Sequence, residues 1–177
     1  MAGNRDFLLG DDYCQRAGMQ RIEEPFVLQG VKPDTLLMHG DVLCTDDYEY
    51  QRFRSKVRNP AWQARMLARP IWLRRSIASL ARAISRRRNR NKSERIMDVN
   101  PEAVTACFRN HQVERLIHGH THRPAEHQVE VDGKHCTRMV LGDWHGECGS
   151  LIQIEGNRAQ LLVIGRDREG AIALRDP

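Results

Sequence analysis

The densest chemistry in the chain lies in Leu116-Ile117-His118-Gly119-His120-Thr121-His122-Arg123-Pro124. Three histidines alternate directly after an apolar run, 113–117, that reads as a strand. If the backbone stays extended, alternate side chains share one side. His120 and His122 can then reach neighbouring metal ions through neutral imidazole nitrogens. Gly119 is expected to turn the chain sharply and to let the backbone approach a ligand. A second histidine stands at another strand end, where Thr35-Leu36-Leu37-Met38 runs into His39-Gly40-Asp41. Near the start, Gly3-Asn4-Arg5-Asp6 offers an amide oxygen suited to a hard cation and a guanidinium suited to phosphate. The competing reading is a polar loop whose histidines make ordinary hydrogen bonds. The metal reading therefore needs these residues to meet at the carboxyl ends of strands, where α/β folds gather their sites.

The elements that must position them are partly legible. Residues 11–17 read as a short helix closed by Gly18, and Phe26-Val27-Leu28 as a strand turning at Gly30. Thr45-Asp46-Asp47 starts a helical region that continues to about residue 91, with breaks near Pro60 and Pro70. Asn100-Pro101-Glu102 is a cap, a first-turn proline and an acid, opening a helix that leads into the 113–117 strand. Asp132-Gly133 turns a hairpin, residues 138–141 make a further strand before Gly142-Asp143-Trp144, and Gly156-Asn157 splits a second hairpin. The tail after Arg166 carries no clear pattern.

The 177 residues suit one domain, and 40% hydrophobic content is globular. Five scattered cysteines without a C-x-x-C spacing read as reduced, buried thiols of a cytoplasmic protein. No apolar run is long enough to span a bilayer and no signal peptide opens the sequence. The net charge of +5 is uneven: residues 65–95 hold eleven Arg or Lys and one acid, while the remainder is net acidic. In that segment Leu73, Ile77, Leu80 and Ile84 fall at helical spacing. One reading packs this stripe on the core beneath solvated arginines. Another makes it a basic amphipathic lid on anionic lipid headgroups; a nucleic-acid arm would also be basic.

Gly3-Asn4-Arg5-Asp6, His39-Gly40-Asp41 and Gly119-His120-Thr121-His122 resemble blocks of the calcineurin-like metallophosphoesterase family. With Cys44-Thr45-Asp46-Asp47-Tyr48, the basic helical insertion and Leu141-Gly142-Asp143-Trp144, the likeness narrows to the branch that acts in bacterial lipid A synthesis. It covers residues 3 to about 164. The resemblance implies an α/β sandwich of two sheets flanked by helices, one domain over 1–177, with a helical lid insertion at about 46–95. It implies hydrolysis of the pyrophosphate of UDP-2,3-diacylglucosamine, with two Mn²⁺ ions, giving UMP and 2,3-diacylglucosamine 1-phosphate. Asn4, His39 and His120 would bind one ion and His122 the other. Arg5 and His120 would be catalytic, Arg5 by holding a phosphate oxygen. Asn4, Arg5, Asp47, Ser85, Asn89, Lys92 and His120 would contact substrate. His118 would be structural, and Asp41 and Asp143 would orient histidines. The implied place is the cytoplasmic face of the inner membrane, held peripherally through the lid, with no nucleic-acid partner. A different metallophosphoesterase acting on nucleotides or nucleic acid, and a non-catalytic remnant, are the alternatives.

The family's Asp-x-His and Gly-Asp blocks should precede Gly3-Asn4-Arg5-Asp6, and only two residues do. The expectation is a chain lacking the first strands and the bridging carboxylate. It would hold at most one ion weakly and be nearly inactive alone.

Overall fold

The computed structural model describes residues 1–89, 98–166 and 172–175. In chain order the elements are α1 (Asp11–Arg16), β1 (Phe26–Leu28), β2 (Thr35–Met38), α2 (Tyr48–Val57), α3 (Pro60–Leu67), α4 (Ile71–Asn89) and α5 (Pro101–His111). Then come β3 (Arg115–His118), β4 (Ala125–Val131), β5 (Lys134–Val140), β6 (Gly149–Glu155), β7 (Arg158–Arg166) and β8 (Ile172–Arg175). They fall into two compact units. One comprises Arg21–Leu43 and Val99–Pro177, the other Ala2–Gln20 and Cys44–Asp98.

The first unit is a mixed α/β assembly. Its five-stranded sheet has the order β1-β2-β3-β5-β4. The three central strands are parallel, with Met38 opposite His118 and His118 opposite Val140. Their carboxyl ends therefore lie side by side, and each leads into one of the motifs. Of the parallel strands, β2 and β3 are covered on both faces, while β5 is exposed at its start and buried at its carboxyl end. Leu36 and Leu116 pack with Val104 and Phe108 of α5 on one side. Ile117 and Met139 form a second cluster with Leu161 and Ile152, which belong to the three-stranded sheet β6-β7-β8. Asn100 caps α5 as its sequence suggests, accepting from the amides of Glu102 and Ala103 at 2.9 and 3.1 Å. The β4–β5 turn has Asp132 and Gly133 at φ 52° and 77°, the conformation that an Asp-Gly hairpin favours. Strand β8 stands in the tail where no pattern was visible, and β3 begins two residues later than expected and includes His118.

The second unit holds α1 to α4. Asp47 caps α2 by accepting from Tyr50 N at 3.0 Å, and Asn59 caps α3, whose first residue is Pro60. The breaks at Pro60 and Pro70 thus fall where proline's missing N–H is harmless. Arg58 holds the amino-terminal segment, donating to the carbonyls of Ala2 and Gly3 at 2.9 and 3.2 Å. Its guanidinium also lies 5.7 Å from the Phe7 ring centre. On α4 the apolar stripe is half-buried at Leu73 and Ile77 and exposed at Leu80 and Ile84, as are Ile71 and Trp72. No described helix is long and apolar enough to cross a membrane.

Candidate metal and phosphate site

His39 follows β2 and His120 follows β3. The two loops are tied where the strands end, since Gly119 N donates to the His39 carbonyl at 3.0 Å. That tie extends the parallel register one residue further and brings the two side chains together. His39 Nε2 and His120 Nδ1 are 3.2 Å apart, with ring planes at 75°. Both rings are half-buried.

The backbone does not stay extended to do this. His120 and His122 have φ of 67° and 56°, so both turn in the left-handed region. The expected alternation of side chains is thus wrong in its cause. Gly119 itself is not in the left-handed region, and a Cβ there would meet nothing nearer than the His39 carbonyl at 3.8 Å. The glycine this corner requires is Gly40, at φ 105°, where a Cβ would stand 2.7 Å from His118 Nδ1.

His118 lies beneath the corner, 1% exposed. Its Nδ1 is 2.9 Å from the Gly119 carbonyl and its Nε2 is 3.1 Å from Arg138 Nη1. A carbonyl only accepts and a guanidinium only donates, so the proton sits on Nδ1. Burial lowers the pKa of this imidazole to about 4; the Gly119 carbonyl opposes that and the Arg138 charge adds to it. From pH 6.5 down to 4 the unfolded chain takes up a proton that the native histidine does not. Stability from this group is therefore unaffected above pH 6.5, falls as pH falls, and levels off below 4. By pH 5 the loss should reach about 2 kcal/mol. Urea unfolding at pH 7 and pH 5 should show that slope, and His118→Gln should remove this part of it. An equal slope in both proteins would contradict the buried, neutral assignment.

Past β5, Asp143 reaches back to the second motif histidine. Its Oδ2 is 3.4 Å from His122 Nδ1 and also contacts His145 Nε2. A carboxylate beside Nδ1 favours a proton there and leaves Nε2 as the ligand atom. Burial works to raise the Asp143 pKa, but its own backbone amide and the two imidazoles win, and the net direction is down. His145 and Trp144 were given no role from sequence, although Trp144 stands in the Leu141-Gly142-Asp143-Trp144 block; the signal was their place next to Asp143, just past a strand end. Arg138 left no signal, because its role depends on pairing β5 with β3. Among the cysteines, Cys148 is exposed, contrary to the expectation that all are buried, while the other four are buried.

The remaining site candidates belong to the second unit. Asn4 Oδ1 accepts from the Tyr50 hydroxyl at 2.5 Å, and Arg5 is exposed. Asp47 is the α2 cap, and Ser85 is on the exposed surface of α4. The side chain of Asn89 and the whole of Lys92 lie outside the described residues.

Whether this donor set suits a divalent ion can be tested on distances. Two nitrogen ligands about 2.1 Å from one ion and at a right angle stand roughly 3 Å apart. The His39–His120 spacing of 3.2 Å fits two adjacent positions of one such ion. Among the described residues no group of three or more His, Cys, Asp or Glu is placed to hold a metal.

Histidine-bearing loops at the carboxyl ends of parallel strands, in a mixed α/β protein, are consistent with a phosphoesterase-like fold. No family model matches the chain. It is 47% identical over 168 residues to a UDP-2,3-diacylglucosamine hydrolase of Xanthomonas axonopodis pv. citri, covering 91% of this chain and 68% of that protein. It is 45% identical over 172 residues to the Stenotrophomonas maltophilia protein of the same name, covering 93% and 69%. Against the Cellvibrio japonicus protein of that name the identity is 52% over 145 residues, covering 82% and 60%. The chain belongs to the UDP-2,3-diacylglucosamine hydrolase family.

Proposed function

We propose that this protein hydrolyses UDP-2,3-diacylglucosamine at its pyrophosphate, releasing UMP and 2,3-diacylglucosamine 1-phosphate in lipid A synthesis. Family membership supports the substrate. The observation that carries the chemistry is the His39–His120 pair at the ends of adjacent parallel strands. His39 and His120 present ring nitrogens to a divalent cation, which we take to be Mn²⁺. His122, backed by Asp143, presents Nε2 for a second. When bound, such ions polarise phosphoryl oxygens and lower the pKa of water. The chain's own part is to hold the imidazoles in place: His118 and Arg138 fix the corner, and Asp143 orients the His122 ring. Substrate contacts by Arg5, Asp47, Ser85, Asn89 and Lys92, and a further oxygen ligand from Asn4, are part of the same reading. So are the two-sheet calcineurin-like sandwich and the helical lid.

Because no group of three or more His, Cys, Asp or Glu among the described residues is placed to hold a metal, we expect weak Mn²⁺ binding and slow turnover by this chain. The test is therefore a single-turnover assay with enzyme in excess and millimolar Mn²⁺. UMP, not UDP, should appear. No UMP above the buffer blank overturns the reading.

We also propose that α4 seats the protein peripherally on the cytoplasmic face of the inner membrane. The support is an exposed apolar set, Ile71, Trp72, Leu80 and Ile84, on a helix that also carries Arg74, Arg75, Arg82, Arg86 and Arg87. Co-sedimentation with vesicles containing anionic lipid should be salt-sensitive, and Leu80→Glu should reduce it several-fold. Equal sedimentation of both proteins would remove α4 from the contact.

A further inference from the structure

We propose that Trp144 is the stacking platform for the pyrimidine base of the nucleotide half of the substrate. The proposal rests on the nucleotide substrate given above and deepens it. An indole is large and apolar, yet Trp144 is 62% exposed. It is not loose. A Cβ at Gly149 would stand 2.5 Å from the indole Cδ2 and 2.7 Å from Cε2, so the ring lies against bare backbone at the start of β6.

The loop carrying the ring is closed on itself. His145 N donates to the Cys148 carbonyl at 2.9 Å and Cys148 N to the His145 carbonyl at 3.0 Å. Gly146, at φ 58°, makes that tight turn, and Glu147 beside it pairs with Arg166 of β7. One side of the indole is thus seated on the sheet while much of the ring meets water. A held aromatic ring is what base stacking needs, because little ordering remains to be done on binding.

Position decides the ligand. Trp144 follows Asp143, whose carboxylate lies 3.4 Å from His122 Nδ1. In a nucleotide only a ribose separates base from phosphate, so a ring one residue from this carboxylate is placed for a base whose phosphate is at the histidines. His145, 85% exposed at its side chain, stands beside the ring as a polar partner for the base edge or the ribose.

The experiment titrates UMP and ribose 5-phosphate, each with Mn²⁺, into the full chain and into Trp144→Ala, Trp144→Phe and Gly149→Ala. Binding is read by calorimetry, and the tryptophan fluorescence of the wild type is compared with that of Trp144→Phe. UMP should quench the wild type. Trp144→Ala should weaken UMP about tenfold or more, and Trp144→Phe much less. Gly149→Ala, which keeps the indole but displaces it, should weaken UMP as well. Ribose 5-phosphate should bind all four proteins alike. Equal UMP affinity in wild type and Trp144→Ala overturns the proposal, as does a wild type that does not bind UMP at all. Failure of the hydrolase reading looks different: UMP binds through Trp144, yet UDP-2,3-diacylglucosamine is not cleaved.

Discussion

His120→Ala is expected to leave a folded protein whose calorimetric Mn²⁺ signal is lost and whose UMP release falls by roughly a hundredfold or more. The reason is geometric. His39 Nε2 has one imidazole partner at 3.2 Å, and removing it leaves a single nitrogen where two adjacent ligand positions stood. A second substitution separates ligand loss from damage to the fold. His120 holds φ 67°, a conformation that costs a residue with a Cβ roughly 1–2 kcal/mol and costs glycine little. His120→Gly should therefore melt above His120→Ala by about 2–8 °C, while binding Mn²⁺ no better. Strain of this kind persists where the surrounding structure over-determines it, here through the His39–Gly119 tie and the buried His118. Wild-type Mn²⁺ affinity in His120→Ala would remove the pair from the site. A reversed order of melting would remove the strain argument alone.

How much of this was legible in the sequence divides along physical lines. Local chemistry was readable. The Asn100 cap, the Asp132-Gly133 turn and the proline breaks at Pro60 and Pro70 all stand where residue type placed them, because each is settled within a few residues. The branch of bacterial lipid A synthesis was readable too, and the identity to UDP-2,3-diacylglucosamine hydrolases bears it out. What the sequence hid depends on contacts between strands. The left-handed turns at His120 and His122 follow a strand whose register and buried His118 are long-range features, and histidine's modest tolerance of that region does not announce them. The exposure of Leu80 and Ile84 on α4 could not be decided from the period of the stripe, since an apolar face has the same spacing whether or not it is covered. Strand β8 is short and mostly exposed, so its pairing with β7 had no hydrophobic pattern to announce it.

The glycine that matters was the one next door to the residue chosen from sequence, and it carries the second large effect. Gly40→Ala is expected to destabilise the first unit by about 3 kcal/mol, enough to lower the melting temperature by roughly 6–12 °C. Two costs add. At φ 105° an L side chain is strained whatever space it has, and the new Cβ would stand 2.7 Å from His118 Nδ1 and 3.2 Å from the Gly119 carbonyl. Neither neighbour can yield easily. The imidazole is held at both nitrogens, and the Gly119 carbonyl also accepts from Thr121 N at 2.8 Å. Gly119→Ala is the matched control, because its Cβ would meet only ordinary contact and its φ is not in the left-handed region. Thermal unfolding followed by circular dichroism should put Gly119→Ala within about 3 °C of wild type and Gly40→Ala well below both. If the two alanine variants melt together, the corner is not locked by His118, and the account of how His39 and His120 are brought face to face fails with it.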